Sequence, residues 1–276
     1  PPDCMRPSLS RSVAGFSALL KTAHHLADLS SGVILPRFRR PISIDDKGSK
    51  FGFDPVTAAD RDAERAISRY LARNYPAHAI VGEEHGGRDG DGSSALRWVI
   101  DPIDGTKAFI MGSPMWGTLI GLLDGDTPVL GMMNQPFTGE RVWSGQTAAH
   151  WRTSDGRTRR VRTRACKRLA ECIVTTTSPD LLGKDDRERF NSIASRARLT
   201  RYGGDCYGYC LLAGGHVDLV IETGLKPHDV VALIPIIERA GGRTTTWDGD
   251  SATGGGRIVA AGDPALHAAA VKILAG

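Results

Sequence analysis

The stretch VIDPIDGTKAFI, residues 99–110, sets two carboxylates, Asp101 and Asp104, at the end of an apolar run and just ahead of a Gly-Thr pair. RWVIDPID (97–104) reads as a short buried strand that ends in acids. Gly105 and Thr106 then open the helix TKAFI, where free N–H groups and the helix dipole favour an anion such as phosphate. HAIVGEE (78–84) is a second apolar strand ending in acids, Glu83 and Glu84, and the glycine-rich HGGRDGDGSS (85–94) joins the two. GTLIGLL (117–123) and TPVLGMMNQP (127–136) continue as neighbouring strands of a largely antiparallel sheet. Upstream, Val13, Phe16, Leu19, Ala23 and Leu26 recur at helical spacing, with His24 and His25 expected at that helix's surface. DPVTAADRDAERAISRYLARNYP (54–76) is a second helix, its start marked by Thr57 and Asp60 as a capping box.

Downstream the chain changes character. The Arg-rich RTSDGRTRRVRTRACKRL (152–169) reads as a solvated loop or hairpin face. CIVTTTS, ARLTRYG, HVDLVIET and GRIVAAG read as strands, and DDRERFNSIASR, DCYGYCLLAGG, HDVVALIPIIERAGG and PALHAAAVKIL as helices between them. The expected fold class is therefore α/β, with an α+β N-terminal half, residues 1–148, and an α/β C-terminal half, residues 149–276.

Composition narrows the function classes. The 276 residues, 41% hydrophobic, suffice for a substantial core. A formal charge of +4 is a mild bias, not the basic stripe of a nucleic-acid binder, and leaves anionic small molecules as ligands. Cys4, Cys166, Cys172, Cys206 and Cys210 are odd in number and lack CxxC spacing, which favours neither a disulfide framework nor zinc and fits a reducing compartment. The sequence shows no apolar run of membrane length, and PPDC before Met5 lacks the order of a secretion signal, so the expectation is a cytoplasmic protein without a membrane partner.

Glu83, Glu84, Asp101, Asp104 and Asp229 all sit at the ends of predicted elements. Brought together they would repel one another unless a cation lay between them. Oxygen-only ligation suits Mg²⁺, Mn²⁺ or Ca²⁺ rather than zinc. The alternative is that they are caps and turn residues that never meet. If they do meet, acids beside an anion cradle point to phosphoester hydrolysis, with two cations about 4 Å apart.

DPVTAADRDAE, VGEEHG, DPIDGTKAFI and KPHDVVALIPIIERAGG together resemble, in order and spacing, the inositol monophosphatase family of Mg²⁺-dependent, lithium-sensitive phosphatases. The resemblance spans nearly the whole chain. It implies a five-layer α-β-α-β-α sandwich, a site between the halves, and a homodimer acting on a small-molecule phosphomonoester, with no nucleic acid. It also implies that Glu83, Asp101 and the Ile103 carbonyl hold one Mg²⁺, and that Asp101, Asp104 and Asp229 hold a second. Two or three ions per site are implied, with Mn²⁺ as a substitute. Glu83 and Thr106 would orient the attacking water, Asp60 would help Thr106 relay a proton, and Gly105 with Thr106 would bind phosphate. Lys47 falls where the family carries a mobile loop, although a solvated loop lysine is the plainer reading, and Glu84 would be an outer acid.

Within the family, TTTSPDLL and YGGDCYGYCLLAGGHVDLVIETGLKPHDVVALIP resemble the histidinol-phosphate phosphatases. Asp104, Asp205 and Glu222 are then the substrate-facing acids, and the last two, facing the leaving group, suit an amine better than a polyol. On chemistry alone Asp205 could equally be a helix N-cap. His228 stands where the wider family has an aromatic residue and reads as a packing or rim residue, because ligation would need partners that the sequence does not place. An inositol-1-phosphate or broad sugar phosphatase is the enzymatic alternative. A regulatory binding module using the basic stretch around Arg159, which would take RNA or another anion, is the non-enzymatic one.

Overall fold

The computed structural model describes residues 13–48 and 54–276. Cys4 and the PPDC segment lie outside the described residues. The first helix, α1 (Val13–Ile34), leads through the small hairpin of β1 (Ile44–Asp46) and β2 (Pro55–Thr57) to α2 (Ala58–Asn74). Thr57 caps α2 as the sequence predicts: its hydroxyl accepts from Ala59 N while Asp60 accepts from Thr57 N.

The chain then builds the large sheet. Its strands are β3 (Ala79–Gly82), β4 (Gly87–Arg88) and β5 (Leu96–Asp104), then β6 (Gly117–Asp124) after the short helix α3 (Thr106–Met111). It continues with β7 (Thr127–Gln135), β8 (Glu140–Ser144), β9 (Ala149–Arg152) and β10 (Thr158–Val161). The strand order is β10-β9-β8-β7-β6-β5-β3-β4, and the pairing is antiparallel except between β3 and β5. The division expected at residue 148 falls inside this sheet, since β9 and β10 extend its meander; the sheets divide after Val161.

The second sheet takes β11 (Ile173–Thr176), then β12 (Leu199–Tyr202) after α4 (Lys184–Ala194), and β13 (Leu219–Leu225) after α5 (Asp205–Ala213). After α6 (Pro227–Val230) and α7 (Leu233–Ala240) come β14 (Arg243–Thr246), β15 (Gly256–Ala261) and α8 (Pro264–Leu274). The order is β12-β11-β13-β15-β14. HDVVALIPIIERAGG is thus two helices rather than one. Pro235 has no N–H to offer the carbonyl four residues back, so the turn around Val231 is where the helical ladder breaks.

Side-chain alternation on the large sheet explains the layering. Ile120 and Leu122 face α1 and α2, packing with Phe16, Leu26, Ile67 and Leu71. Leu119, Met133 and Val142 face the other way, onto Tyr209, Leu212, Ile236 and Ile237 of α5 and α7, which also cover Val220 and Ala260 of the second sheet. The far face of that sheet, with Val174, Leu219 and Val259, is closed by Phe190 of α4 and Leu266 of α8. The result is the expected α-β-α-β-α sandwich. No described helix is long and apolar enough to cross a membrane.

Two local readings change. His25 is exposed, but His24 is half-buried under Arg141, its Nδ1 3.0 Å from a guanidinium nitrogen and its ring edge-on to Trp143. Burial and the Arg141 charge push its pKa down to about 4. The Arg-rich segment is a hairpin face, as expected: Arg159 and Arg160 are exposed on edge strand β10, while Arg164 pairs with the buried Asp218.

Candidate metal centre and active site

A regular strand would send residues 101 and 104 to opposite faces. Strand β5 avoids this with a bulge. Asp101 pairs with Leu119 and Asp104 with Gly117, so three steps on β5 oppose two on β6. Strand β13 repeats the device: Glu222 pairs with Ile258 and Leu225 with Gly256, which turns the chain into α6 and Asp229. Gly105, after the first bulge, holds φ 85°. A Cβ there would stand 2.8 Å from the Met115 carbonyl and 3.2 Å from Asp205 Cβ, so glycine is required.

Asp101, Asp104 and Asp229 each bring a carboxylate oxygen within 4.8 Å of the others. Burial, then the charges of Glu83, Asp104 and Asp229, push Asp101 well above the usual carboxylate range. Burial, then Asp205 and Asp229, do the same to Asp104, and burial raises Asp229. Buried like charges at this spacing are stable only when protonated or when a cation lies among them. The donors are all oxygen, so they fit a hard divalent cation. The caps-and-turns alternative fails for these three acids, although Asp229 also caps α6 by accepting from Lys226 N at 2.6 Å.

Glu83 leaves β3 beside Asp101, and the two carboxyls share a hydrogen bond. Burial would raise Glu83, but His228, Lys47 and that bond hold it below its ordinary range. Lys47 is not a free loop lysine: its Nζ donates to Glu83 Oε1 and Glu84 Oε1, each at 2.8 Å. His228 is not at an idle rim, since its Nε2 lies 3.4 Å from Asp229 and 4.0 Å from Glu83. The reading from sequence missed Glu64, whose buried carboxylate accepts from Glu84 N and His85 N and so pins the turn carrying Glu83. Its signal is its place on α2 one turn after Asp60, on a face that is otherwise apolar.

Asp60 and Thr106 do not hydrogen-bond to each other in this structure. Asp60 Oδ2 accepts from Thr57, its Oδ1 is buried without a partner, and burial raises its pKa to about 6. Thr106 Oγ1 instead donates to the Ile103 carbonyl at 3.0 Å.

Beside the acids opens a cavity of about 220 Å³, lined by Asp104, Gly105, Thr106, Asp205, Glu222 and Asp229 among others. Asp205 is not an N-cap. Gly204 holds the cap position, and Asp205 is the first residue of α5, at φ 42° with no side-chain cap bond. Burial lifts its pKa to about 6, opposed by the charge of Lys107. Glu222 accepts from Thr177 N, Thr177 Oγ1 and Thr176 Oγ1, and burial lifts it to about 8 despite those bonds. Near neutral pH the charge on this side of the cavity is therefore mainly that of Asp205. Tyr209, also lining the cavity, keeps a buried hydroxyl with no partner, and nothing in its local sequence sets it apart from the other residues of its helix.

The inositol monophosphatase family model matches residues 17–275. The chain is 42% identical to the bifunctional phosphatase IMPL2, chloroplastic, of Arabidopsis thaliana, over 90% of this chain and 72% of that protein. It is 33% identical to a histidinol-phosphatase of Mycobacterium tuberculosis, over 87% and 92% respectively. Among solved structures, an inositol monophosphatase from Zymomonas mobilis superposes with a TM-score of 0.83 at 39% identity, covering 96% of this chain and 100% of that one.

Proposed function

This chain belongs to the inositol monophosphatase family, and from that premise we propose that it hydrolyses L-histidinol phosphate to L-histidinol and phosphate, in histidine biosynthesis, with Mg²⁺. The observation that carries this reading is the pair of acids, Asp205 and Glu222, lining one cavity next to the acid cluster. An ammonium on the leaving group finds a counter-charge in Asp205 and an acceptor in Glu222, whereas a polyol brings no charge to match Asp205. Relatives named as histidinol-phosphatases support the same choice.

Glu83, Asp101 and the Ile103 carbonyl would hold one Mg²⁺, and Asp101, Asp104 and Asp229 a second, with Mn²⁺ able to substitute. The ions when bound would supply charge neutralisation at phosphate and an activated water. Gly105 N and Thr106 N take phosphate oxygens, and the Thr106 hydroxyl with Glu83 orients the water. Asp60, whose Oδ1 has no partner, is the carboxylate we assign to the proton relay to Thr106. The assembly we propose is a cytoplasmic homodimer acting on a small molecule, with neither nucleic acid nor membrane as partner.

The second reading, an inositol-1-phosphate or sugar phosphatase, draws on the Zymomonas neighbour and on the Aquifex aeolicus relative named fructose-1,6-bisphosphatase/inositol-1-monophosphatase, 29% identical. Phosphate release from histidinol phosphate, inositol-1-phosphate, fructose-1,6-bisphosphate and adenosine 3′,5′-bisphosphate separates the two. We expect histidinol phosphate to lead in kcat/KM by about tenfold or more. Equal or better turnover of a neutral-alcohol phosphate would install the second reading.

A further inference from the structure

His228 precedes Asp229 in α6, and its side chain is 11% exposed. Rim placement follows from sequence only because no partner is visible there; the fold supplies two. Its Nε2 lies 3.4 Å from Asp229 Oδ1 and 4.0 Å from Glu83 Oε1. Donors that share one ion at about 2.1 Å stand about 3 Å apart when adjacent and about 4 Å apart when opposed. The ring nitrogen is therefore at adjacent-ligand spacing from Asp229, assigned above to the second ion, and lies near Glu83, assigned to the first. A simple hydrogen bond to Asp229 would be long at 3.4 Å. The space beside Glu83 Oε1 already attracts a cation, since Lys47 Nζ reaches the same oxygen at 2.8 Å.

We propose that His228 is a nitrogen ligand in the cation centre, between Glu83 and Asp229, and that it shifts the site's preference from Mg²⁺ toward first-row transition ions such as Mn²⁺. An imidazole nitrogen strengthens binding along the transition series more than it strengthens binding of Mg²⁺, which prefers oxygen and water. The inference rests on the divalent centre proposed above, and its test separates the two. Chelator-stripped protein is loaded with Mn²⁺ alone and read by electron spin-echo envelope modulation, which detects nitrogen bonded directly to the ion. The expected result is nitrogen modulation in the native protein that is lost in His228→Gln, while Mn²⁺ still binds. The ratio of Mn²⁺ to Mg²⁺ affinity should fall about tenfold in the same variant; His228→Asn serves if the Gln variant does not fold. Bound Mn²⁺ without nitrogen modulation, modulation that survives the substitution, or equal weakening of both ions overturns the ligand role and leaves the metal centre standing. Failure of the native protein to bind Mn²⁺ or Mg²⁺ overturns both.

Discussion

Asp205 holds a backbone conformation, φ 42°, that costs an ordinary residue on the order of 1–3 kcal/mol and tends to survive where a site needs it. If its carboxylate meets the substrate ammonium, Asp205→Ala should lose about 1.5–3 kcal/mol of transition-state binding, roughly ten- to a hundredfold in kcat/KM, on histidinol phosphate. A neutral-alcohol phosphate assayed in the same variant should lose far less. Equal loss on both would reduce Asp205 to a turn residue. Thr106→Ala tests the other side of the cavity: it keeps the backbone N–H but removes the hydroxyl, so kcat should fall about 10²-fold or more with KM little changed. A raised KM at constant kcat would assign that hydroxyl to ground-state binding. The acids proposed as metal ligands stand out at strand ends, but beside Gly and Pro they read equally well as caps and turns, and it is the family resemblance that tips the balance. Glu64 and His228 do not stand out, since a helix glutamate reads as solvated and a lone histidine has no partners until the chain folds.

At the scale of elements, the paired bulges decide what points into the cavity. Gly105, at the end of the β5 bulge, is the most sensitive position. Gly105→Ala forces a Cβ into a left-handed residue and against the Met115 carbonyl at 2.8 Å. A loss of about 1 kcal/mol or more is expected, a fall of roughly 2–4 °C in Tm per kcal/mol, together with reduced turnover. Calorimetry and phosphate release check it, and a variant unchanged in both would mean that the loop relaxes freely. The named helices and strands were readable from periodicity, but β1, β2, β4, β8, β9, β10 and β14 were not. They are short, and Arg and Thr dominate β10 and β14, so the alternation that marks a half-buried strand is faint there. The bulges were equally hidden, because a one-residue register shift leaves no local trace in composition.

For the whole molecule, the alternation of elements predicts only a layered α/β C-terminal half; the full five-layer order and the meeting of acids across the halves are properties of packing, implied by the family resemblance and invisible to local pattern. Saturating Mg²⁺ at a hundred times Kd should stabilise the fold by about 2.7 kcal/mol, several degrees in Tm, and a chelator should remove that gain. Asp229→Asn should fold, lose most of the Mg²⁺-dependent shift and lower turnover by orders of magnitude. Near-native activity at saturating Mg²⁺ would dissolve the proposed centre. Glu222 adds a pH signature. Its pKa rises from an unfolded value near 4.5 to about 8 on folding, so the folded state binds its proton more tightly. Its contribution is complete below about pH 4.5 and is lost as pH climbs through 8, on the order of a few kcal/mol. Denaturant melts of Glu222→Gln should lack that decline between pH 5 and 8; an identical decline would place its cause elsewhere. Every proposed carboxylate ligand except Asp229 comes from the first sheet's side, while Asp205 and Glu222 come from the second. A lineage can therefore acquire a new substrate by drift at a few positions after Val161 without passing through an ancestor that has lost its chemistry.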